Sequence, residues 1–449
     1  FNRITMAQTV SAMASDNAYQ IDDLSPALQR GPQWLREQRQ RSRRAFNETL
    51  LPRRGLHLWR YTDPAKFLIQ HDGHRDAAFP EGYDAVEAVE LSHLEQGHLA
   101  GLATDYGGRD IRIHGAEQLA EKGILLTTLS DAIDKHRDLV EKHLYQLVNS
   151  STGKFEAMNG ALFNDGVFIH VPDGVAVEQP MHLLRESGSE NSVYFPRLLV
   201  IVGKNAELTL IDEYGGGSGD IDSGVSHSNG AVEIFGLDNS RVRYVSLQRQ
   251  APASRFYLTH RARIGQGATM LTISLAFGGS ISKQNFGVTL NGEGAQSNMW
   301  GLLFGSEYQH FDNHTLHHHA VGRTLSNIDF KVVLRDMALS AYTGLIRIEK
   351  GAKTCEAYQE NRNLLLNKGA RAETIPELEI LNEDVKCSHG ATIGPLDPLQ
   401  VFYLNTRGIQ REEAVRMIVS GFIESTLTRI PEDLKERISE FVTRRLENI

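Results

Sequence analysis

Two residues near the carboxyl end of the chain have the spacing of metal ligands on a strand. Cys387 and His389 are separated by Ser388 and follow Val385 at even intervals. If Val385 faces the interior of a strand, both share its face and lie about 6.6 Å apart along the strand. A thiolate and an imidazole at that distance can reach one metal ion, but two ligands leave a tetrahedral or cluster site half empty. The spacing predicts either two ordinary interior residues or a partial metal site that a second subunit completes.

A histidine-rich segment is the second candidate for chemistry. Imidazoles bind zinc, iron or nickel when several converge on one point. Alternate residues of a strand face opposite ways, so only part of such a segment converges. We therefore expect a polar surface or an interface here rather than a metal site. The histidines are His310, His314, His317, His318 and His319.

Catalytic motifs are missing from the sequence. The pattern G-x-x-x-x-G-K-[ST] does not occur, and the nearest fragment, 152–155, lacks its first glycine and its final hydroxyl. The glycine-rich stretch 215–219 lacks the dinucleotide-binding spacing, and no Gly-x-Ser-x-Gly elbow is present. We expect no ATPase activity and assign no catalytic residue.

Composition narrows the function further. The 449 residues carry a net charge of −9, which gives no basic field for nucleic acid or an anionic membrane. Two cysteines, Cys355 and Cys387, cannot supply four thiolates to an iron–sulfur cluster. No run approaches the roughly 20 apolar residues of a membrane span, and no signal peptide pattern is seen. We expect a cytoplasmic protein that binds neither nucleic acid nor membrane.

Strands must position these residues, because the hydrophobic period changes from 3.6 to 2 after residue 155. Many strands follow a short Gly or Asn turn that ends in alanine. These alanines lie 62, 27, 57 and 18 residues apart, which suggests coils of 19 to 21 residues, although 27 fits poorly. The pattern favours a parallel β-helix, with a β-sandwich as the alternative. The alanines are Ala206, Ala268, Ala295, Ala352 and Ala370.

Helices are expected at both ends of this mainly β chain. We predict a mostly helical region over 1–150, a β-helix core over 151–405 and a helical region over 406–449. The arginines of 36–44 indicate a solvated helix face or, less simply, a surface for an acidic partner. Two apolar stripes, within 414–422 and 434–446, predict a pair of closing helices.

Several motifs are arranged as in a known family. The chain resembles the SufB/SufD family of iron–sulfur cluster assembly proteins, and its SufD branch more closely than its SufB branch. An element similar to the family's Trp-x-Tyr-Thr lies at 58–62, and Asp312–Thr315 resembles a segment of the family's body. The carboxyl-terminal signature covers Asn361–Leu366, Val385–Gly394, Phe402–Leu404 and Arg407–Ile409.

The resemblance implies a right-handed parallel β-helix between helical regions. It also implies a scaffold subunit of a SufB–SufC–SufD complex that pairs with SufB through the β-helices and docks the ATPase SufC through its carboxyl-terminal helices. His389 is then expected to hold iron or a transient cluster shared with SufB. Cys387 matches as a residue, with weaker grounds for the same role. A reduced flavin is conceivable in such a complex, but nothing in the sequence supports one.

Two departures from the SufB pattern accompany the resemblance. Asn361 occupies the position of the sulfur-accepting cysteine of SufB, and Gly390 that of a glutamate. Sulfur acceptance is therefore expected of the partner. Two alternatives stay open, a homodimeric metal-binding scaffold and a β-helix enzyme acting on polysaccharide. Asp329, Glu349 and Glu379 are scattered solvated charges with no local acidic motif, which argues against the enzyme.

Overall fold

The structure, a computed structural model, describes residues 20–68, 83–108, 110–186, 192–215 and 226–430, with five isolated residues beyond. In these residues the chain winds into a parallel β-solenoid of about seven turns. The strands are β1 Gly101–Tyr106, β2 Asp110–His114, β3 Leu125–Thr128, β4 Val167–Val171, β5 Met181–Glu186, β6 Val193–Tyr194, β7 Arg197–Val202, β8 Glu207–Gly215, β9 His227–Gly236, β10 Arg241–Arg249, β11 Arg255–Ile264, β12 Thr269–Ala276, β13 Ile281–Leu290, β14 Gln296–Gly305, β15 His310–His319, β16 Leu325–Leu334, β17 Leu339–Ile348, β18 Cys355–Leu365, β19 Arg371–Ile380 and β20 Val385–Pro395.

Helices precede and follow the solenoid. They are α1 Gln33–Glu48, α2 Tyr83–Glu95, α3 Ala116–Ala120, α4 Leu129–Lys135, α5 Arg137–His143, α6 Lys154–Leu162, α7 Pro398–Thr406 and α8 Arg411–Leu427. The second predicted tail helix, over 434–446, lies almost entirely outside the described residues. None of the helices in the described ranges has the length and apolar character needed to cross a bilayer.

Two sheets of ten strands form the solenoid walls. The first sheet runs in the order β2-β1-β5-β8-β10-β12-β14-β16-β18-β20, and the second runs from β19 through the odd-numbered strands to β7, then β4 and β3. From β8 onward every pairing along these orders is parallel. Side chains of both inner faces form one continuous apolar core. The predicted parallel β-helix is confirmed, and the β-sandwich alternative is wrong.

The coils are longer than predicted. Glu207 pairs with Arg241, Arg241 with Thr269, and Thr269 with Gln296, so successive coils advance by 34, 28 and 27 residues. The predicted length of 19 to 21 residues is wrong, because each coil contains two strands of about ten residues and two turns. The 27-residue interval that fitted poorly is one whole coil.

The short Gly or Asn turns that end in alanine lie at corners of the solenoid, as their sequence pattern indicates. Asn205, Gly267 and Gly294 have positive φ values of 54°, 62° and 75°, which turn the chain sharply before a strand. The alanine that follows each corner is buried, with 0% exposure at Ala206 and at Ala268. A small side chain fits there because the chain re-enters the packed interior.

Part of the amino-terminal region packs against the outer face of the second sheet, whereas Glu87 and Glu90 of α2 contact Thr104 and His182 of the first sheet. Trp59 stacks on Tyr257 of β11, with ring centroids 5.9 Å apart, and Thr62 donates a hydrogen bond to Asp312 of β15. The segment 58–62 therefore anchors this region to the solenoid. Within the arginine-rich helix, Arg39 is buried and donates to the carbonyls of Ala161 and Phe163. Arg39 therefore belongs neither to a solvated helix face nor to a surface for an acidic partner, so both interpretations of the arginine-rich segment are wrong for this residue.

Helix α8 covers part of the outer face of the first sheet. Its residues Val419 and Ile423 pack in one apolar cluster with Leu302 and Val333 of the strands beneath. Lys331 of β16 donates a 2.6 Å hydrogen bond to the carbonyl of Phe422. The helical tail is thus attached to the same sheet that ends in β20.

Candidate functional site

The open end of the solenoid presents Cys387 and His389. Register pairs Val385 with Cys355, Cys387 with Ala357, and His389 with Gln359. All three partners are buried, so the alternation predicted for β20 is confirmed and both candidate ligands share the face of Val385. No further coil covers β20 in the described chain, and His389 is therefore exposed although its strand position faces the solenoid axis.

The two cysteines have different surroundings. Burial, together with Cys355 nearby, raises the pKa of the half-buried Cys387 thiol above its usual value of 9.0. The thiol is therefore mostly protonated at neutral pH and becomes a ligand only when a metal displaces its proton. Cys355 is completely buried, and its Sγ lies 3.2 Å from Oγ1 of Thr324. It is an interior packing residue rather than a ligand of this end.

The two positions that depart from the SufB pattern lie close to these residues. Asn361 is buried inside the last coils, where its amide donates to the carbonyl of Phe330 at 3.3 Å and accepts from Asn363 at 2.7 Å. Gly390 lies at the open end, with no atom within 4 Å of the place where a Cβ would stand. A buried amide thus occupies one position, and open space surrounds the other.

A groove runs beside β20 on the outer face of the first sheet. Its cavity measures about 650 Å³, and its lining includes Trp300, Asp329, Glu360 and Arg429. Asp329 pairs with Glu360, and Glu360 with Gly390, across three strands. Strand alternation places these residues on the opposite side of the sheet from the His389 side chain. The lining also includes Ser388, His389 and Gly390, so the groove reaches the part of β20 that carries the candidate ligand.

No complete metal site is preformed in the described chain. No group of three His, Cys, Asp or Glu side chains has the geometry to hold an ion in the part of the chain that the structure describes. Cys387 and His389 therefore supply at most two ligands from this chain. Their chemistry, one soft sulfur and one imidazole nitrogen, suits iron or zinc.

Most of the histidine-rich segment is buried, so the expected polar surface is wrong for most of it. His317 and His319 face the solenoid interior, where they lie 3.0 Å from Oγ of Ser297 and 2.8 Å from Oγ of Ser326. His314 faces outward beneath the amino-terminal region and contacts Lys283 and Asp312. The strand alternation divides these imidazoles between two environments that do not converge.

The carboxylates considered for a polysaccharide-cleaving enzyme are each engaged by cations. Glu349 accepts from His318 and Arg347, both at 2.9 Å, and Glu379 lies 3.7 Å from Arg347. Asp329, read from the sequence as a solvated charge, is buried and accepts from Arg429. No sequence pattern indicates this ion pair, since 100 residues separate its members.

An apolar surface is exposed on the helix that follows β20. On α7, Leu399, Phe402 and Tyr403 are 74%, 65% and 57% exposed, although all three are large and apolar or aromatic. Met417 of α8 is also exposed. Clusters of this kind mark surfaces that bind other proteins.

Comparisons with known proteins agree with this architecture. The family model of the SUF system FeS cluster assembly SufBD core domain matches residues 184–422, and that of the SufBD protein N-terminal region matches 106–183. The iron–sulfur cluster assembly protein SufB of Bacillus subtilis is 26% identical over 432 residues, covering 95% of this chain and 92% of that protein. A SufBD family protein of Staphylococcus epidermidis is 25% identical over 421 residues, covering 93% and 90%. Because the core family model spans more than half of the chain, this protein belongs to the SufBD family of iron–sulfur cluster assembly proteins.

Proposed function

We propose that this chain is a SufD-type scaffold subunit, without catalytic turnover, of a cytoplasmic iron–sulfur cluster assembly complex. It pairs with SufB through the last coil of its solenoid and docks the ATPase SufC through α7 and α8. The observation that carries this proposal is that β20, the last strand of the first sheet, is uncovered in the described chain and presents His389 at the open end of the solenoid.

The terminal strands support pairing with a second solenoid. β19 and β20 are the last strands of the second and first sheets, so their outer backbone groups lack a strand partner within the described chain. Unpaired strand edges bind other strands readily, and β-augmentation supplies main-chain hydrogen bonds. Ile380 and Ile393, which are exposed on these strands, add apolar surface for such a contact.

His389 would act as one ligand among several at this interface. The iron or nascent cluster is the cargo, and its remaining ligands would come from SufB, because the described residues at this end offer only Cys387 besides His389. Asn361 cannot carry a persulfide, and Gly390 cannot supply a carboxylate. The division of labour that follows has sulfur accepted on SufB and a nitrogen ligand supplied here.

The carboxyl-terminal helices support docking of an ATPase. The chain has no phosphate-binding loop of its own, so ATP-driven work must come from a partner. The apolar residues exposed on α7 offer that partner a surface, and the contacts of Lys331 and Arg429 link the helices to the first sheet. ATP binding by SufC would reorganise these helices and open the SufB contact.

The test is co-expression of this chain with SufB and SufC, followed by co-purification and iron and sulfide analysis. We expect a complex of all three that matures a cluster, and His389→Ala is expected to keep the complex while lowering maturation at least tenfold. Ser388→Ala is the matched control, since it changes the neighbouring exposed residue on the other face of β20. Unchanged maturation in His389→Ala would remove the ligand role, and failure to co-purify with SufB would remove the SufD assignment.

A homodimeric metal-binding scaffold is the second candidate, favoured by the same free edges. Strand edges that accept SufB could also accept a second copy of this chain. Iron bound to a homodimer, with no dependence on SufB, would favour this candidate in the same co-purification experiment.

A further inference from the structure

A second cavity lies against the outer face of the second sheet, with Glu377 of β19 among its lining residues. It measures about 310 Å³, which is at the lower end of the range for small-molecule sites. The segment 52–59 and the first turn of α6 cover it, and strands β11, β13, β15 and β17 form its floor. Nothing in the proposed assembly function uses this space.

Arg261 supplies the cavity with a positive charge that has no ion-pair partner among the residues that the structure describes. Its Nη1 donates to the backbone oxygens of His260 at 2.9 Å and Asn285 at 2.8 Å, which fixes the guanidinium plane. Its Nε and Nη2 make no hydrogen bond with any of the described residues, and the side chain is only half-buried. Arg261 packs directly against Gly287, because a Cβ at that position would stand 2.9 Å from Cδ of Arg261.

Glu156 supplies the opposite charge. Its Oε1 accepts hydrogen bonds from the hydroxyls of Tyr257 at 2.8 Å and Thr259 at 2.5 Å. Its Oε2 accepts no hydrogen bond within the described ranges, and no cation lies within salt-bridge distance of it there. The carboxylate is therefore held in place by two neutral donors while one oxygen stays available.

These two charges are costly without partners. Burial lowers the pKa of Arg261, against the opposing effect of Glu156 and Tyr257, as expected for a guanidinium that is partly removed from water. A buried charge is stabilised when an opposite charge approaches with good hydrogen-bond geometry. Arg261 and Glu156 both line the cavity and do not bridge each other, so a ligand that carries both charges would satisfy both.

The remaining lining combines polar groups with apolar and aromatic ones. Its other charged side chains have partners: Lys283 donates to Asp312, Lys154 donates to the carbonyl of Phe46, and His57 contacts Glu377. Trp59 and Tyr257 lie parallel, and Phe155 packs against both at centroid distances of 5.0 and 5.2 Å. Leu316 and Leu345 extend the apolar floor. Such walls favour a ligand with an apolar or aromatic body.

We infer that this cavity binds a free α-amino acid with an apolar or aromatic side chain. The carboxylate of the ligand pairs with Nε and Nη2 of Arg261, its ammonium group pairs with Oε2 of Glu156, and its side chain lies against the aromatic wall. The lining does not include Cys387 or His389, and the inference does not depend on the proposed scaffold role.

The test measures binding of L-phenylalanine and L-leucine to the purified full chain by equilibrium dialysis. We expect saturable binding of at least one of them. In the same protein, 3-phenylpropionate lacks the ammonium group and 2-phenylethylamine lacks the carboxylate, so each is expected to bind at least tenfold more weakly than L-phenylalanine. Equal binding of these analogues, or no binding of either amino acid at millimolar concentration, would overturn the inference.

Variants provide an independent readout. Arg261→Met is expected to weaken amino acid binding at least tenfold. Arg263→Met is the matched control, because Arg263 lies on the same face of β11, packs over the Phe235 ring and does not line the cavity. Unchanged binding in Arg261→Met would contradict the proposed pairing. If that variant fails to fold, the analogue comparison in the unmodified protein decides the question.

Discussion

Arg429 donates a 2.7 Å hydrogen bond to the carboxylate of Asp329, which joins the end of the carboxyl-terminal helical region to β16. The guanidinium also lies over the Trp300 ring, 4.5 Å from its centroid. Burial raises the pKa of Asp329, and the positive charge of Arg429 opposes that rise. The ion pair therefore holds the helical tail against the groove beside β20.

Removing this arginine should loosen the tail. Arg429→Met leaves Asp329 buried without its ion-pair partner, and we expect a loss of about 1–2 kcal/mol in the free energy of unfolding, since the pair is partly exposed. Hydrogen exchange in α8 should become faster. Asp329→Asn is the control. An amide tolerates burial better than an unpaired carboxylate, so this variant should lose less free energy of unfolding than Arg429→Met. Equal losses in the two variants would contradict this account.

Buried histidines should make the protein sensitive to mild acid. Burial lowers the pKa of His260 and of His317 from 6.5 to about 3, with minor help from Arg261 and His319 respectively. Each imidazole is neutral in the folded state, whereas the unfolded chain takes up a proton below pH 6.5. Stability is therefore complete above that pH and falls as the pH drops from 6.5 towards 3.

At pH 5, each of these two histidines should lower the free energy of unfolding by about 2 kcal/mol relative to its value at pH 7.5. Urea unfolding at both pH values measures the loss. His317→Gln should reduce the difference in unfolding free energy between the two pH values by about the contribution of one histidine. Glutamine keeps a polar group near Ser297 but does not titrate. An identical pH dependence in this variant would argue against a neutral buried imidazole.

Thiol labelling should distinguish the two cysteines. At pH 7.5 we expect iodoacetamide to modify Cys387 more slowly than a free thiol, because burial raises its pKa. Cys355, completely buried, should react only after unfolding. Mass spectrometry of the labelled peptides measures both rates. Addition of SufB should protect Cys387, and undiminished labelling in a stable complex would place the contact elsewhere.

Two glycines should respond differently to alanine. A Cβ on Gly301 of β14 would stand 2.2 Å from Cδ1 of Phe330, which is buried in the core. Gly301→Ala should therefore cost about 1–3 kcal/mol through overpacking. Gly351 has no atom within 4 Å of its Cβ position, and Gly351→Ala should be nearly neutral. Thermal unfolding of both variants checks the comparison, and similar melting temperatures would contradict the packing argument.

Local alternation was enough to predict the strand geometry of the candidate site. Val385, Cys387 and His389 share a face because successive side chains of a strand must point to opposite sides, and this needs no tertiary information. The family motifs likewise lie in contiguous segments. The metal-ligand role of Cys387 and His389 stays a prediction, because it depends on atoms from another subunit.

Features that depend on distant contacts were not predictable. The coil length could not be predicted, because a turn followed by alanine occurs at corners of both sheets. The spacing between such alanines does not tell a corner of one sheet from a corner of the other. Arg39 has the helical neighbours of an exposed arginine, yet the carbonyls of Ala161 and Phe163 receive it. The burial of His317 and His319 likewise follows from coils stacked above and below them.

The regular stacking of coils has a mechanical consequence. Each coil adds about 4.8 Å along the axis, so about seven turns give the solenoid a length of roughly 34 Å. Parallel ladders resist compression and shear because each coil is hydrogen-bonded to the next along its whole length. The solenoid is therefore expected to move as one rigid body. A force that a partner applies to the helical regions would displace β20 together with the other coils rather than deform the coils between them.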